Sequence, residues 1–149
     1  MKISFAGMKT QVPDGWQDES TITFSMPAQP GIDVPLALNP RVPDSAANLV
    51  ITWEHAGELG AQEYLDQRLA QLSEQLPGFT VAERGDAGDA QEPIPWAEFS
   101  LVAKVAVTQL LLVKRAGDRV FVITGTSLTP SFAAAKDQFL SAARQLAPE

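Results

Sequence analysis

The chain has 149 residues, 45% of them apolar and 19% charged, the balance of one globular domain able to bury a core. Eighteen acids against eleven bases leave a net charge of −7, which speaks against nucleic acid or an anionic membrane surface as the main partner, because phosphates need a basic footprint. Cysteine is absent, which removes disulfides, thiolate metal sites and a cysteine nucleophile.

The opening MKISFAGMKT lacks the long apolar segment of a secretory leader, and no run reaches the roughly 20 apolar residues that span a bilayer. The expectation is therefore a soluble, cytoplasmic protein. Residues 2–6 and 9–12 are β-prone and separated by Gly7, as in a hairpin. Pro13–Phe24, reading PDGWQDESTITF, is a turn followed by a strand. Pro13 presets φ, and Asp14 and Gly15 suit the turn centre. From there Thr21, Thr23 and Ser25 alternate with Ile22, Phe24 and Met26, the period of a half-buried strand.

Prolines at 27, 30, 35, 40 and 43 make 27–46 a long irregular connection, because proline removes ladder donors. Its aliphatic residues Ile32, Val34, Leu36 and Leu38 either pin it to the body or form a flap that meets a partner. Leu49–Trp53 reads as a central strand. Leu65, Leu69, Leu72 and Leu76 recur at helical spacing over 61–76, with Glu63 in the first turn and Pro77-Gly78 as the stop.

A strand is predicted at Phe79–Glu83, a polar turn at 84–93, and further strands at Trp96–Val105, Thr108–Lys114 and Arg119–Thr126. The last two are joined by a tight hairpin through Gly117. Gln109-Leu110-Leu111-Leu112-Val113 is apolar on both sides, which places it centrally or beneath another layer. In the closing helix Thr129 is the expected N-cap and Pro130 the first helical residue, with Phe132, Ala135, Phe139, Ala143 and Leu146 as the buried stripe. The connections between the later strands are too short for crossover helices. The expected architecture is thus α+β: one domain over 1–149, with a mostly antiparallel sheet of about six strands and two helices packed on it.

Catalytic candidates are sparse. His55 is the only histidine and has no nucleophile motif beside it. Asp14, Asp18 and Glu19 cluster near the first turn and could serve as acid and base, but suit turn-forming and N–H-capping roles better. Asp86 and Asp89 lie among glycines without the ligand spacing of a calcium loop. No phosphate loop, nucleophile elbow or zinc signature is present. The expectation is a non-enzyme without a cofactor or metal, a hydrolase using Asp14, Asp18 and Glu19 being a distant alternative. Gln109 stands out among leucines and valines, where an amide is costly unless bonded. Its partner is either local backbone or water, or a bound protein.

The turn-strand PDGWQDESTITF, the strand Asn48–Ile51, the helix EYLDQRLAQLSEQLPGF and the order of the later elements resemble the DcrB-like superfamily, in particular the Eag chaperones of type VI secretion effectors. The resemblance implies a PsbP-like fold and a small, acidic, cytoplasmic homodimer that keeps the N-terminal transmembrane helices of an effector out of water until it is loaded on the secretion spike. Transferred by position, the binding face would use Thr21, Thr23, Val50, Leu72, Leu76, Val105 and Gln109, with Arg68 as a polar rim. Threonines stand at 21 and 23 where such chaperones often carry aliphatic residues, and 27–46 is longer than the usual connection. A PsbP-like binding or scaffold domain for a different protein client is the alternative.

Overall fold

The computed structural model describes residues 47–101 and 106–147 with their side chains, and 2–5, 8–11, 21–25 and 102 as backbone only. The described strands are β1 (Lys2–Phe5), β2 (Met8–Gln11), β3 (Thr21–Ser25), β4 (Ala47–His55), β5 (Glu83–Asp86), β6 (Pro95–Val102), β7 (Ala106–Ala116) and β8 (Arg119–Leu128). Helix α1 spans Ala61–Gln75 and α2 spans Phe132–Gln145. β1 and β2 form the expected hairpin. The other six strands make one antiparallel sheet in the order β3-β4-β8-β7-β6-β5. This is the α+β architecture expected from the sequence.

β7 decides how the layers stack. Alternate residues of a strand face opposite sides, and here both sides are apolar. Leu110 and Leu112 enter one core, with Ile123 of β8 and Phe132, Ala135, Phe139 and Ala143 of α2. Leu111 and Val113 enter the other, with Phe99 of β6, Val120 and Val122 of β8, and Tyr64, Leu65 and Leu69 of α1. The two helices therefore cover opposite faces. On the α2 side the sheet must come close to the helix. Gly125 of β8 sits under the Phe139 ring, which a Cβ there would overlap.

Several strand ends shift by two or three residues, and two elements depart further from the sequence reading. The strand predicted at Phe79–Glu83 runs instead from Glu83 to Asp86, into the stretch read as a polar turn. Phe79 and Val81 are apolar because they pack on the α1-side core, Phe79 edge-on to Phe99 at 5.0 Å between ring centres, rather than because they extend a ladder. Thr129 does not cap α2. Thr129–Ser131 form a short 3-10 turn, α2 begins at Phe132, and the Thr129 hydroxyl lies 3.1 Å from that of Thr108. The hairpin between β7 and β8 turns at Gly117, φ 63°, as expected.

Gly125→Ala should cost about 1–3 kcal/mol through overpacking against Phe139. A urea titration checks this: the midpoint should fall with the slope unchanged, and a midpoint equal to that of the parent would contradict the close approach.

Candidate functional site

On the α1 side the helix packs over β6 and β7. Its leucine stripe emerges from the core along its length: Leu65 and Leu69 are buried, and Leu72 and Leu76 are half-buried. Beyond the helix, the same face of β4 and β8 carries Val50, Thr52, Thr124 and Thr126, all half-buried. The ladder sets them in rows. Val50 stands opposite Thr124, which stands opposite Leu111; Asn48 stands opposite Thr126, which stands opposite Gln109. Among the described residues no element lies over this strip.

Where α1 meets the strip there is a cleft of about 290 Å³. Arg68, Gln71, Leu72 and Gln75 form its helical wall, and Phe99, Gln109, Leu111 and Thr124 its floor. The Gln109 amide donates from Nε2 to Thr126 Oγ1 at 3.0 Å. Its partner is thus a neighbouring threonine on the same face, and its Oε1 has none among the described residues. One turn before Arg68 on α1 lies a further polar pair. Tyr64 of α1 donates its hydroxyl to the Glu54 carboxylate of β4. Burial, and next the bond to Glu54, push the Tyr64 phenol from 10.0 up to about 12, against the opposing pull of the Arg68 guanidinium.

The structure brings three of the sequence-predicted residues, Arg68, Leu72 and Gln109, to this cleft. Val50 lies one strand further out, beside Thr124. Leu76 follows the helix in extended backbone, outside the cleft lining. Thr21 and Thr23 stand opposite Thr52 and Val50 in the β3–β4 ladder. Val105 lies outside the described residues, as do Asp14, Asp18, Glu19 and the segment 27–46. Sequence reasoning passed over Thr124, Thr126, Gln71 and Gln75. The alternation of Thr124 and Thr126 with Ile123 and Gly125 is the signal that marks a hydroxyl stripe.

The remaining candidates take structural roles. His55 is exposed, its Nδ1 3.2 Å from Asp118 Oδ2. Asp86 Oδ1 accepts from the backbone of Gly88 and Ile94, and Asp89 Oδ1 from Gln91 and Glu92, each at 2.8 Å. The Glu92 and Gln91 N–H groups hold the Asp89 carboxyl below its usual range. Among the described residues no cluster of three His, Asp or Glu side chains is placed to hold a metal ion, and no helix is long and apolar enough to cross a membrane.

No protein-family model matches the chain, and no curated protein matches its sequence. Solved structures do. PA94, a protein of unknown function from Pseudomonas aeruginosa, superposes with a TM-score of 0.73 at 18% identity, over 100% of this chain and 96% of its own. The cyanobacterial PsbP protein CyanoP from Synechocystis superposes with a TM-score of 0.54 at 14% identity, over 97% and 89%. The fold is PsbP-like. At these identities the likeness is one of fold, and the chemistry of the site has to be argued from this chain's own residues.

Tyr64 is the only tyrosine, so tyrosinate absorbance reads it directly. Its titration midpoint should lie near 12 in the folded protein and near 10.0 in denaturant. Because the folded value is the higher, the contribution to stability is intact below pH 10 and lost as pH rises towards 12. A folded midpoint near 10 would break the Tyr64–Glu54 assignment.

Proposed function

We propose that the chain is a binding protein without enzymatic activity, which shelters an apolar α-helix of a partner on the open strip beside α1. In the narrower form suggested by the resemblance of PDGWQDESTITF and the QLPGF helix end, it is an Eag-type chaperone. As such it would act in the cytoplasm as a homodimer, holding the N-terminal transmembrane helices of a type VI secretion effector.

The observation that carries the reading is the strip's shape and chemistry. Strands lie about 4.8 Å apart and a helix is about 10 Å across, so a helix covers about two strands. α1 is centred on β6 and β7 and covers Val120 and Val122 of β8; beside it the Thr124–Thr126 part of β8 and the neighbouring β4 offer about the width of one more helix. Val50, Leu72 and Leu111 supply apolar contact, which is worth roughly 25 cal/mol per Å² removed from water. Thr124, Thr126 and Gln109 supply hydroxyls and an amide, the groups by which helices meet one another inside a membrane. A helix destined for lipid finds both kinds of contact here.

The test is co-purification of the tagged protein from its native cells, followed by mass spectrometry. Enrichment of one protein with N-terminal transmembrane helices is expected. Val50→Asp combined with Gln109→Ala should weaken that capture at least about tenfold, through an unpaired charge in the contact, while circular dichroism stays that of the parent. Undiminished capture by the double variant would move the site elsewhere. Recovery of the protein alone, at monomer mass, would remove the effector-chaperone reading and leave a PsbP-like domain for another client.

A further inference from the structure

A second cleft lies on the opposite face of the sheet, at the end where β7 turns into β8. Its volume is about 660 Å³, within the ~300–1,000 Å³ of small-molecule sites. Lys114, Arg119 and Phe121 come from the hairpin, Leu146 and Ala147 from the end of α2, and Glu92 from the loop before β6. We propose that it binds a small amphipathic carboxylate, with its head on Arg119 and Lys114 and its apolar body on Phe121 and Leu146.

The walls are fixed before any ligand arrives. Lys114 donates to the Leu146 carbonyl and so ties the hairpin to the end of α2. Arg144 donates to the Ala87 carbonyl at 3.0 Å and ties α2 to the loop that carries Glu92. Asp86 and Asp89 then brace that loop through its backbone. A cleft held this way loses little freedom when it is filled.

Charge selects the ligand. The chain carries −7 overall, yet this lining holds Lys114, Arg115 and Arg119 against the one acid Glu92. Arg115 is engaged by the Gly57, Leu59 and Gly117 carbonyls. Arg119 is exposed and its guanidinium has no partner among the described residues. The Lys114 side chain is only 8% exposed, and among the described residues no carboxylate lies within ion-pair distance of it. A buried ammonium held by a carbonyl alone is costly, and a carboxylate in the cleft would be its counter-ion. Glu92 and the carbonyls at the end of α2 oppose a second negative charge, so a monoanion fits better than a dianion. The half-buried Phe121 and the partly buried Leu146 give the apolar floor that inorganic anions would not use.

The probes are octanoate, octylammonium and 1-octanol, titrated into the isotopically labelled full chain and followed by amide shifts. Octanoate should move the amides of 116–121 and 146–147 and bind more tightly than the other two. Arg119→Glu, at the exposed first residue of β8, should weaken octanoate at least about tenfold, the loss of one charge-assisted hydrogen bond, with the amide spectrum of the free protein otherwise that of the parent. Equal binding of octanoate and 1-octanol, tighter binding of octylammonium, or indifference to Arg119→Glu would each overturn the proposal. Shifts centred on Val50 and Thr124 instead would also overturn it, by placing the apolar anion on the other face of the sheet.

Discussion

β7 is apolar on both of its sides, and the rest of the structure follows from that. Leu110 and Leu112 cannot be left in water, nor can Leu111 and Val113, so each face needs a helical cover. One helix covers about two strands of a six-stranded sheet. With α1 centred on β6 and β7 and α2 on β7 and β8, neither helix is centred on the flanking strands of its face. The open strip beside α1 is thus the geometric remainder of a core built on one central strand.

On the β5 side both helices reach across the edge. Asp66 of α1 pairs with Arg84, whose bond holds the Asp66 carboxyl below its usual range. From the other face Lys136 of α2 meets Glu98 at 2.8 Å and Glu83 at 3.1 Å, over the Trp96 ring. Burial works against the Lys136 ammonium, yet the two carboxylates outweigh it and raise its pKa. The exposed Asp66–Arg84 pair contributes little energy, but with the part-buried Lys136–Glu98 contact it places charged side chains along a short edge strand, which discourages pairing with another sheet. Gly85 lets the Trp96 ring lie flat against that strand.

The sequence made legible what periodicity within one segment can encode. The Leu65–Leu69 stripe, the Phe132–Ala143 stripe and the two-sided β7 all follow from spacing alone, whereas the placing of the two helices on opposite faces does not. It misled where an apolar residue packs without joining a ladder, at Phe79 and Val81, and where a hydroxyl has a tertiary use, at Thr129. The candidate site was partly legible. Gln109 drew attention as an amide in an apolar run, but its neighbour Thr126 depends on the β7–β8 register, which no local pattern states. The second cleft joins Lys114 to Leu146 across 32 positions, a contact only the folded chain creates.

The threonines of the open strip bear on what could cover it. A wholly aliphatic face of this width would be an apolar patch of the size that drives association of monomers. Thr52, Thr124 and Thr126 place a methyl and a hydroxyl at each position, so the empty face can hydrogen-bond to water. Once covered, those hydroxyls lose water and need new partners. Thr126 already has Gln109; Thr124, at the floor of the cleft, faces whatever arrives. A long smooth leucine helix would leave it unpaired, whereas a helix with small or hydroxyl residues on one side could approach closely and satisfy it. The strip therefore discriminates by the polar pattern of the helix as well as by its hydrophobicity, and a face of valine and leucine alone could not.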